Sequence, residues 1–243
     1  MTRSKALVLA GVLVVALLLP GCLGAFGQDA GGAAPGAQSL GLRLSASAPA
    51  VGLGSPLAFT AEVDRDPATL AFEWDLGDGE QLRGTGLTLI RHTFSEPGSY
   101  LVRVRVTAAD GASSEATRRV AVDQHLEVSG SLTTLAGLRE AEPYTTRGAL
   151  SEGGAALAVD LRLTRGAAAV PLPTPAQAVV TLRSPTGATL LLKEVAVPAE
   201  GVQVNATAPA TVAGEYTLEI RAKEGTLAFT GVLTLAYTRD SAT

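Results

Sequence analysis

The sequence predicts an all-β protein made of two tandem antiparallel β-sandwiches, which follow a cleaved export signal and a flexible tether. From Leu42 onward, apolar residues recur at every second position, the pattern of strands that bury one face. Clusters of glycine, proline and aspartate interrupt these runs at short intervals, which favours sandwich turns. No segment after the leader has the helical period of about 3.6 residues, so α/β enzyme folds are disfavoured.

The first 21 residues have the layout of an export signal. Arg3 and Lys5 precede an uncharged run of about 14 residues, whereas a membrane-spanning helix needs roughly 18 or more. The stretch Leu19-Pro20-Gly21-Cys22 resembles the prokaryotic lipobox, whose cysteine is lipidated and becomes the first residue of the mature chain. The resemblance implies a signal peptide over residues 1–21 and lipid attachment at Cys22. The alternative is an ordinary secretory signal with an incidental cysteine.

Removing the signal peptide would change the formal net charge from −4 to −6, because both of its charged residues are basic. The remaining chain has no basic stripe, which argues against a nucleic-acid partner and leaves membrane attachment to the acyl chains. Residues 22–41 are rich in glycine and alanine without an apolar period, so we expect a flexible tether behind the lipidated Cys22. Cys22 is the single cysteine, and no intramolecular disulfide is predicted.

Residues 42–123 form the first predicted sandwich. Apolar side chains alternate along its runs, most clearly from Tyr100 to Val106, where Arg103 and Arg105 point to the opposite face. Predicted turns separate the runs, at 64–67, 77–79, 96–98 and 110–111. Short strands at this spacing favour an antiparallel sandwich.

Within this segment lies a series of short motifs: Trp74-Asp75-Leu76-Gly77-Asp78-Gly79, then His92-Thr93-Phe94, then Pro97-Gly98-Ser99-Tyr100. In order and spacing the series resembles the PKD (polycystic kidney disease) domain family, with Leu76 where an aromatic residue is usual. The resemblance implies a seven-stranded, immunoglobulin-like sandwich, found in surface proteins and as an accessory module of secreted enzymes. It also implies a structural role for the motif residues Trp74, Asp75, Gly77, Asp78, Gly79, His92, Pro97, Gly98 and Tyr100.

The chemistry of the motif residues supports an independent interpretation. Trp74 shares a strand face with other apolar residues and is predicted to anchor the core, with ligand stacking as the alternative. Asp75 and Asp78 precede turn positions, where a short carboxylate accepts from its own backbone. The alternative is a Ca²⁺ site, although Ca²⁺ prefers about six to eight oxygen ligands. His92 is predicted to make a structural hydrogen bond at a strand end, and no other cofactor is expected.

Residues 124–240 form the second predicted sandwich, with seven or eight strands. Apolar residues alternate from Leu157 to Leu163, from Tyr216 to Ile220 and from Leu227 to Tyr237. Predicted turns lie at 153–154, 171–175, 184–187 and 209–214. Asn205-Ala206-Thr207 is a glycosylation sequon, and Asn205 is the one asparagine in the chain. The sequence favours an unmodified asparagine at a strand end, with glycosylation of Asn205 as the alternative.

No sequence motif arranges a nucleophile with a base, a metal-binding helix or a phosphate loop, so the chain is predicted not to be an enzyme. We expect a membrane-anchored protein on the extracytoplasmic cell surface, with a structural or adhesive role or one in binding a surface protein or glycan. The alternative is an accessory ligand-binding subunit of a surface enzyme or transporter. A glycan binder needs exposed aromatic side chains. Aromatic residues are only 4% of the chain, so few such surfaces are available. Tyr144, beside Pro143, is the candidate for an exposed aromatic side chain.

Overall fold

The computed structural model describes residues 40–134, 141–166 and 176–240, and the chain forms fourteen strands within them. The helical element of this part is a three-residue 3₁₀ turn, Pro67–Thr69. The predicted all-β class is therefore confirmed. The signal peptide, Cys22, the tether and the predicted turn at 171–175 lie outside the described residues. The strands are β1 (Leu42–Ala46), β2 (Ala50–Gly52), β3 (Leu57–Val63), β4 (Leu70–Asp75), β5 (Gln81–Thr85), β6 (Leu89–His92), β7 (Gly98–Ala108), β8 (Ser113–Thr134), β9 (Tyr144–Leu150), β10 (Gly154–Arg165), β11 (Ala176–Arg183), β12 (Thr189–Val197), β13 (Val202–Pro209) and β14 (Gly214–Tyr237).

The first sandwich has one sheet in the order β1-β3-β6 and another in the order β5-β4-β7-β8. The short strand β2 adds to the seven strands that the resemblance implies, and it runs parallel to residues Ala121–Asp123 of β8. Because successive side chains of a strand point to opposite faces, alternate residues of β3, β4 and β7 enter the core. The largest buried side chains of this core are Phe59, Phe72, Trp74 and Phe94.

The second sandwich has one sheet in the order β12-β11-β14-β9 and another in the order β13-β10-β14-β8. β14 belongs to both sheets, because it pairs with β11 and β9 before Gly225 and with β8 from Gly225 onward. Gly225 has a φ of +79°, which suits glycine and lets the strand turn this corner. The inward-facing side chains predicted for β10 are all buried, namely Leu157, Val159, Leu161 and Leu163.

β8 passes from the first core to the second without interruption. Its last pairing with β7 joins Val122 to Gly98, and its first pairing with β14 joins Gln124 to Leu235. Asp123 is the one residue of β8 between these two ladders. A single strand therefore contributes to both cores, and no connecting loop separates them.

Candidate functional site

Trp74 lies inside the first core, where β4 is flanked by β5 and β7. Its side chain is only 1% exposed, and the indole Nε1–H donates to the Leu87 carbonyl oxygen at 2.9 Å. A buried indole usually finds such a partner for its one polar group. The ring is thus fully used in packing and presents no face on which a ligand could stack.

The turn after β4 is closed by its own aspartates. The Asp75 carboxylate accepts from the Gly77 N–H at 3.0 Å, and the Asp78 carboxylate accepts from the Glu80 N–H at 3.1 Å. Gly77 has a φ of +80°, and a Cβ there would lie 3.0 Å from the Leu101 carbonyl oxygen, so both conformation and space favour glycine. These contacts hold the turn against the neighbouring strand β7.

His92 ends β6 and contacts two carboxylates from the turn after β4. Its Nε2 lies 2.7 Å from Asp78 Oδ2, and its Nδ1 lies 3.5 Å from Glu80 Oε2. The ring also meets Phe94 edge-on with centroids 4.6 Å apart, and Phe94 stacks on Tyr100 at 4.1 Å. The imidazole therefore ties the turn to β6, in the other sheet of the sandwich.

The remaining motif residues organise the start of β7. The Tyr100 hydroxyl donates to the Glu96 carbonyl oxygen at 2.8 Å, which closes the segment ahead of the strand. Gly98 is buried and is the first residue of β7. The Pro97 carbonyl oxygen accepts from the Ser151 hydroxyl at 3.4 Å, so this segment also touches the second sandwich. These motif residues thus contact the protein's own side chains and backbone.

The pKa of Asp78 predicts a measurable acid sensitivity. Burial raises this pKa, but hydrogen bonds from the Glu80 N–H and His92 outweigh it and hold the pKa below the ordinary 3.8. Because the folded-state pKa is depressed, the stabilisation is complete above the unfolded value and is lost as the pH falls through the folded-state pKa. We expect wild type to lose more thermal stability than Asp78→Asn between about pH 5 and pH 2.

Melting temperatures measured across this pH range test the prediction. Asp75→Asn is the matched control, since Asp75 accepts from a turn N–H but makes no contact with His92 in the described part of the chain. It should retain the acid dependence of wild type. Equal acid dependence in wild type and Asp78→Asn would contradict the assignment.

The outer face is defined here as the solvent side of the sheet β5-β4-β7-β8. Its first row joins Arg83, Glu73, Arg105 and Glu115, one from each strand in register. Arg83 Nε lies 3.7 Å from Glu73 Oε1, and the two side chains are 70% and 48% exposed. A second row lies two residues further along each strand, on the same face, and joins Gln81, Asp75, Arg103 and Thr117.

Tyr144 is not the exposed aromatic platform that the sequence suggested. The side chain is half-buried and packs edge-on against Phe229, with ring centroids 4.9 Å apart. Pro143 signals a loop in the sequence, but the packing partner comes from β14, far along the chain. In the described ranges the exposed large apolar side chains are all aliphatic, namely Leu53, Leu89, Leu101, Leu192 and Val212.

Asn205 lies on β13 with its side chain exposed. In the orientation that satisfies its hydrogen bonds, the amide nitrogen donates to Asp160 Oδ1 at 2.9 Å across the ladder to β10. Glycosylation of Asn205 remains the alternative to an unmodified residue. Within residues 40–134, 141–166 and 176–240, no group of three or more His, Cys, Asp and Glu residues is arranged to hold a metal ion. Nor does this part contain a helix long and apolar enough to span a membrane.

Comparison with known proteins assigns one part of the chain to a family. Residues 41–121 match the family model of the PKD domain, close to the predicted 42–123. No curated protein matches the chain. The structure is similar to the PKD1 domain of Vibrio anguillarum Epp, at 21% identity, a TM-score of 0.29, and coverage of 35% of this chain and 94% of that one.

Two further solved structures resemble a larger share of the chain. One comes from work on carbohydrate-binding modules of the β-sandwich superfamily. It has 16% identity and a TM-score of 0.40, and the match covers 82% of this chain and 98% of that one. The other is SGBP-B from Bacteroides ovatus in complex with a mixed-linkage heptasaccharide, with 14% identity, a TM-score of 0.29, and coverage of 76% and 49%. The match to the family model shows that this chain carries a PKD domain at residues 41–121.

Proposed function

We propose that this chain is a lipid-anchored cell-surface protein that acts by display and contact rather than by turnover. Cys22 would hold it to the membrane, and residues 22–41 would lift the two sandwiches away from the surface. The observation that carries the proposal is the continuous strand β8, which contributes to both cores. Because β8 is paired with β7 before Asp123 and with β14 after it, the strand resists bending at this residue. The two sandwiches would therefore act as one stiff spacer.

Contacts from the C-terminal end support this stiffness. The Asp123 carboxylate accepts from the Tyr237 N–H at 3.0 Å and from Arg239 Nη1 at 2.9 Å. Beyond β14, the Thr238 carbonyl oxygen accepts from the Ser99 hydroxyl at 2.7 Å. The segment then reaches Arg119 of β8, whose backbone N–H and carbonyl oxygen both bond the residue that follows Arg239. The chain thus leaves the second sandwich and returns to the first, which links them at a second place.

The exposed side chains favour a protein partner over a glycan. Glycan recognition by stacking requires an accessible aromatic face. In the described residues, Trp74 is buried and Tyr144 is packed on Phe229. The outer face instead carries charged side chains of both signs. Such a face can bind a protein surface that presents the opposite charge at each facing position.

The anchor is tested by Cys22→Ala. This variant should move from the detergent phase to the aqueous phase on temperature-induced phase separation, because the acyl chains supply the attachment. Asn205→Gln is the matched control, since it changes an exposed side chain outside the leader and should partition like wild type. Continued partition of Cys22→Ala into detergent would refute lipid attachment at this residue.

A further inference from the structure

In these two rows of the outer face, the charges are antisymmetric about the line between β4 and β7. On one side, β4 carries Glu73 and Asp75 in the two rows; on the other, β7 carries Arg105 and Arg103. The flanking strands reverse the signs again. Arg83 on β5 is matched by Glu115 at the same distance on the far side, on β8. The neutral ends of the second row, Gln81 and Thr117, also correspond.

We infer that the outer face binds a second copy of this chain, face to face, about a two-fold axis that runs along the strands between β4 and β7. Such an axis places β4 over β7 of the second copy and β5 over β8 of the second copy. Glu73 then faces Arg105 of the second copy, and Asp75 faces its Arg103. Arg83 faces Glu115 of the second copy, so every charge of both rows meets its opposite. Surfaces of a two-fold dimer must be self-complementary in this way.

The same charges disfavour the face-to-face arrangement whose two-fold axis runs across the strands. A two-fold axis across the strands, between the two rows, would place Glu73 over Asp75 of the second copy and Arg105 over its Arg103. Like charges in close opposition disfavour a wrong mode of association. The pattern therefore selects the orientation in which the strands of the two copies point the same way.

The sheet geometry permits this orientation. Sheets of proteins have a right-handed twist, and rotation about an axis along the strands maps a twisted sheet onto a surface of the same twist. The two faces then remain parallel and can approach as aligned sheets do in a sandwich, at a separation of about 10 Å. Side chains as long as arginine and glutamate can meet across this gap.

The symmetry of the dimer is compatible with attachment of both copies to one membrane, and this step rests on the proposed function. Rotation about an axis along the strands leaves Leu40, the first described residue, at the same end in both copies. Two chains held by their N-terminal segments in one membrane can therefore pair side by side. Confinement to a membrane raises the effective concentration, which compensates for the low affinity of a face held by exposed ion pairs.

Energy transfer between purified full chains, labelled at their C termini with a donor or an acceptor dye, tests the inference in nonionic detergent. We expect concentration-dependent transfer at about 50 mM NaCl and an affinity at least about tenfold lower at about 500 mM, because salt screens exposed charges. Glu73→Arg should weaken self-association by at least about tenfold, since the introduced arginine would face Arg105 of the second copy. Arg105→Glu should weaken it equally, since the introduced glutamate would face Glu73 of the second copy.

Mixing the two variants is the decisive step. In a mixed dimer, the introduced arginine faces the introduced glutamate and the native Arg105 faces the native Glu73, so transfer should return to within about threefold of the wild-type affinity. Both changes are at exposed positions and should leave the melting temperature close to that of wild type. If either variant fails to fold, Arg83→Glu and Glu115→Arg provide the same test on the outer strands.

The inference is overturned if wild type shows no transfer, if the single variants associate as wild type does, or if their mixture associates no better than each variant alone. None of these results depends on lipid attachment, because the assay detects pairing in detergent. Continued partition of Cys22→Ala into detergent, with pairing of wild type as expected, would contradict lipid attachment alone. Loss of detergent partition in Cys22→Ala, with no pairing of wild type, would contradict the dimer alone.

Discussion

Replacing Trp74 by alanine should lower the free energy of unfolding by about 3–5 kcal/mol, the usual loss when a buried aromatic side chain is emptied. The indole is 1% exposed and is in register with Leu82 on one side and Val104 on the other. The substitution leaves a cavity between these strands and also removes the donor to the Leu87 carbonyl oxygen. Because a domain has only about 5–15 kcal/mol of stability in total, the variant should lose a large fraction of its resistance to unfolding.

Urea denaturation of the full chain measures the loss, and Trp74→Phe is the matched control. Phenylalanine retains an aromatic ring in the core but cannot donate to Leu87, so it should cost less than alanine. An unchanged denaturation midpoint in Trp74→Ala would contradict the role of the indole in the core. Equal losses in both variants would instead assign its role to the hydrogen bond alone.

The strand faces could be predicted from the sequence because they depend on neighbouring residues. Alternation from Leu157 to Leu163 indicates which side chains are buried, whatever the strand pairs with. The turn residues Asp75 and Asp78 also act within two positions of themselves, at Gly77 and Glu80. Local chemistry was sufficient in each of these cases.

Features that depend on strand register could not be predicted in this way. His92 meets Asp78 across 14 positions of the chain, because the turn after β4 comes to lie beside the end of β6. The exposure of Tyr144 was predicted wrongly because its partner, Phe229, lies on β14. The first row of the outer face likewise exists only when four strands are aligned. These contacts require the topology, which one sequence does not specify.

Asp123 occupies the place where the two sandwiches meet. It is the residue of β8 between the ladder to β7 and the ladder to β14. Its carboxylate is 13% exposed and accepts from the backbone N–H of Tyr237 and from Arg239. Its carbonyl oxygen accepts from the Leu53 N–H at 2.9 Å, which attaches β2 at the same point. The side chain therefore joins the end of β14 to the strand shared by both cores.

Asp123→Ala should lower the free energy of unfolding by about 1–3 kcal/mol, because the buried N–H of Tyr237 loses its acceptor. It should also release the segment after β14, whose contacts to Ser99 and Arg119 depend on where that strand ends. Small-angle scattering of the full chain should then show a broader distribution of interatomic distances. Asp123→Asn keeps an acceptor for Tyr237 and loses only the charge opposite Arg239, so it should scatter like wild type. If Asp123→Ala keeps both the melting temperature and the scattering of wild type, β8 alone stiffens the spacer and the C-terminal link is dispensable.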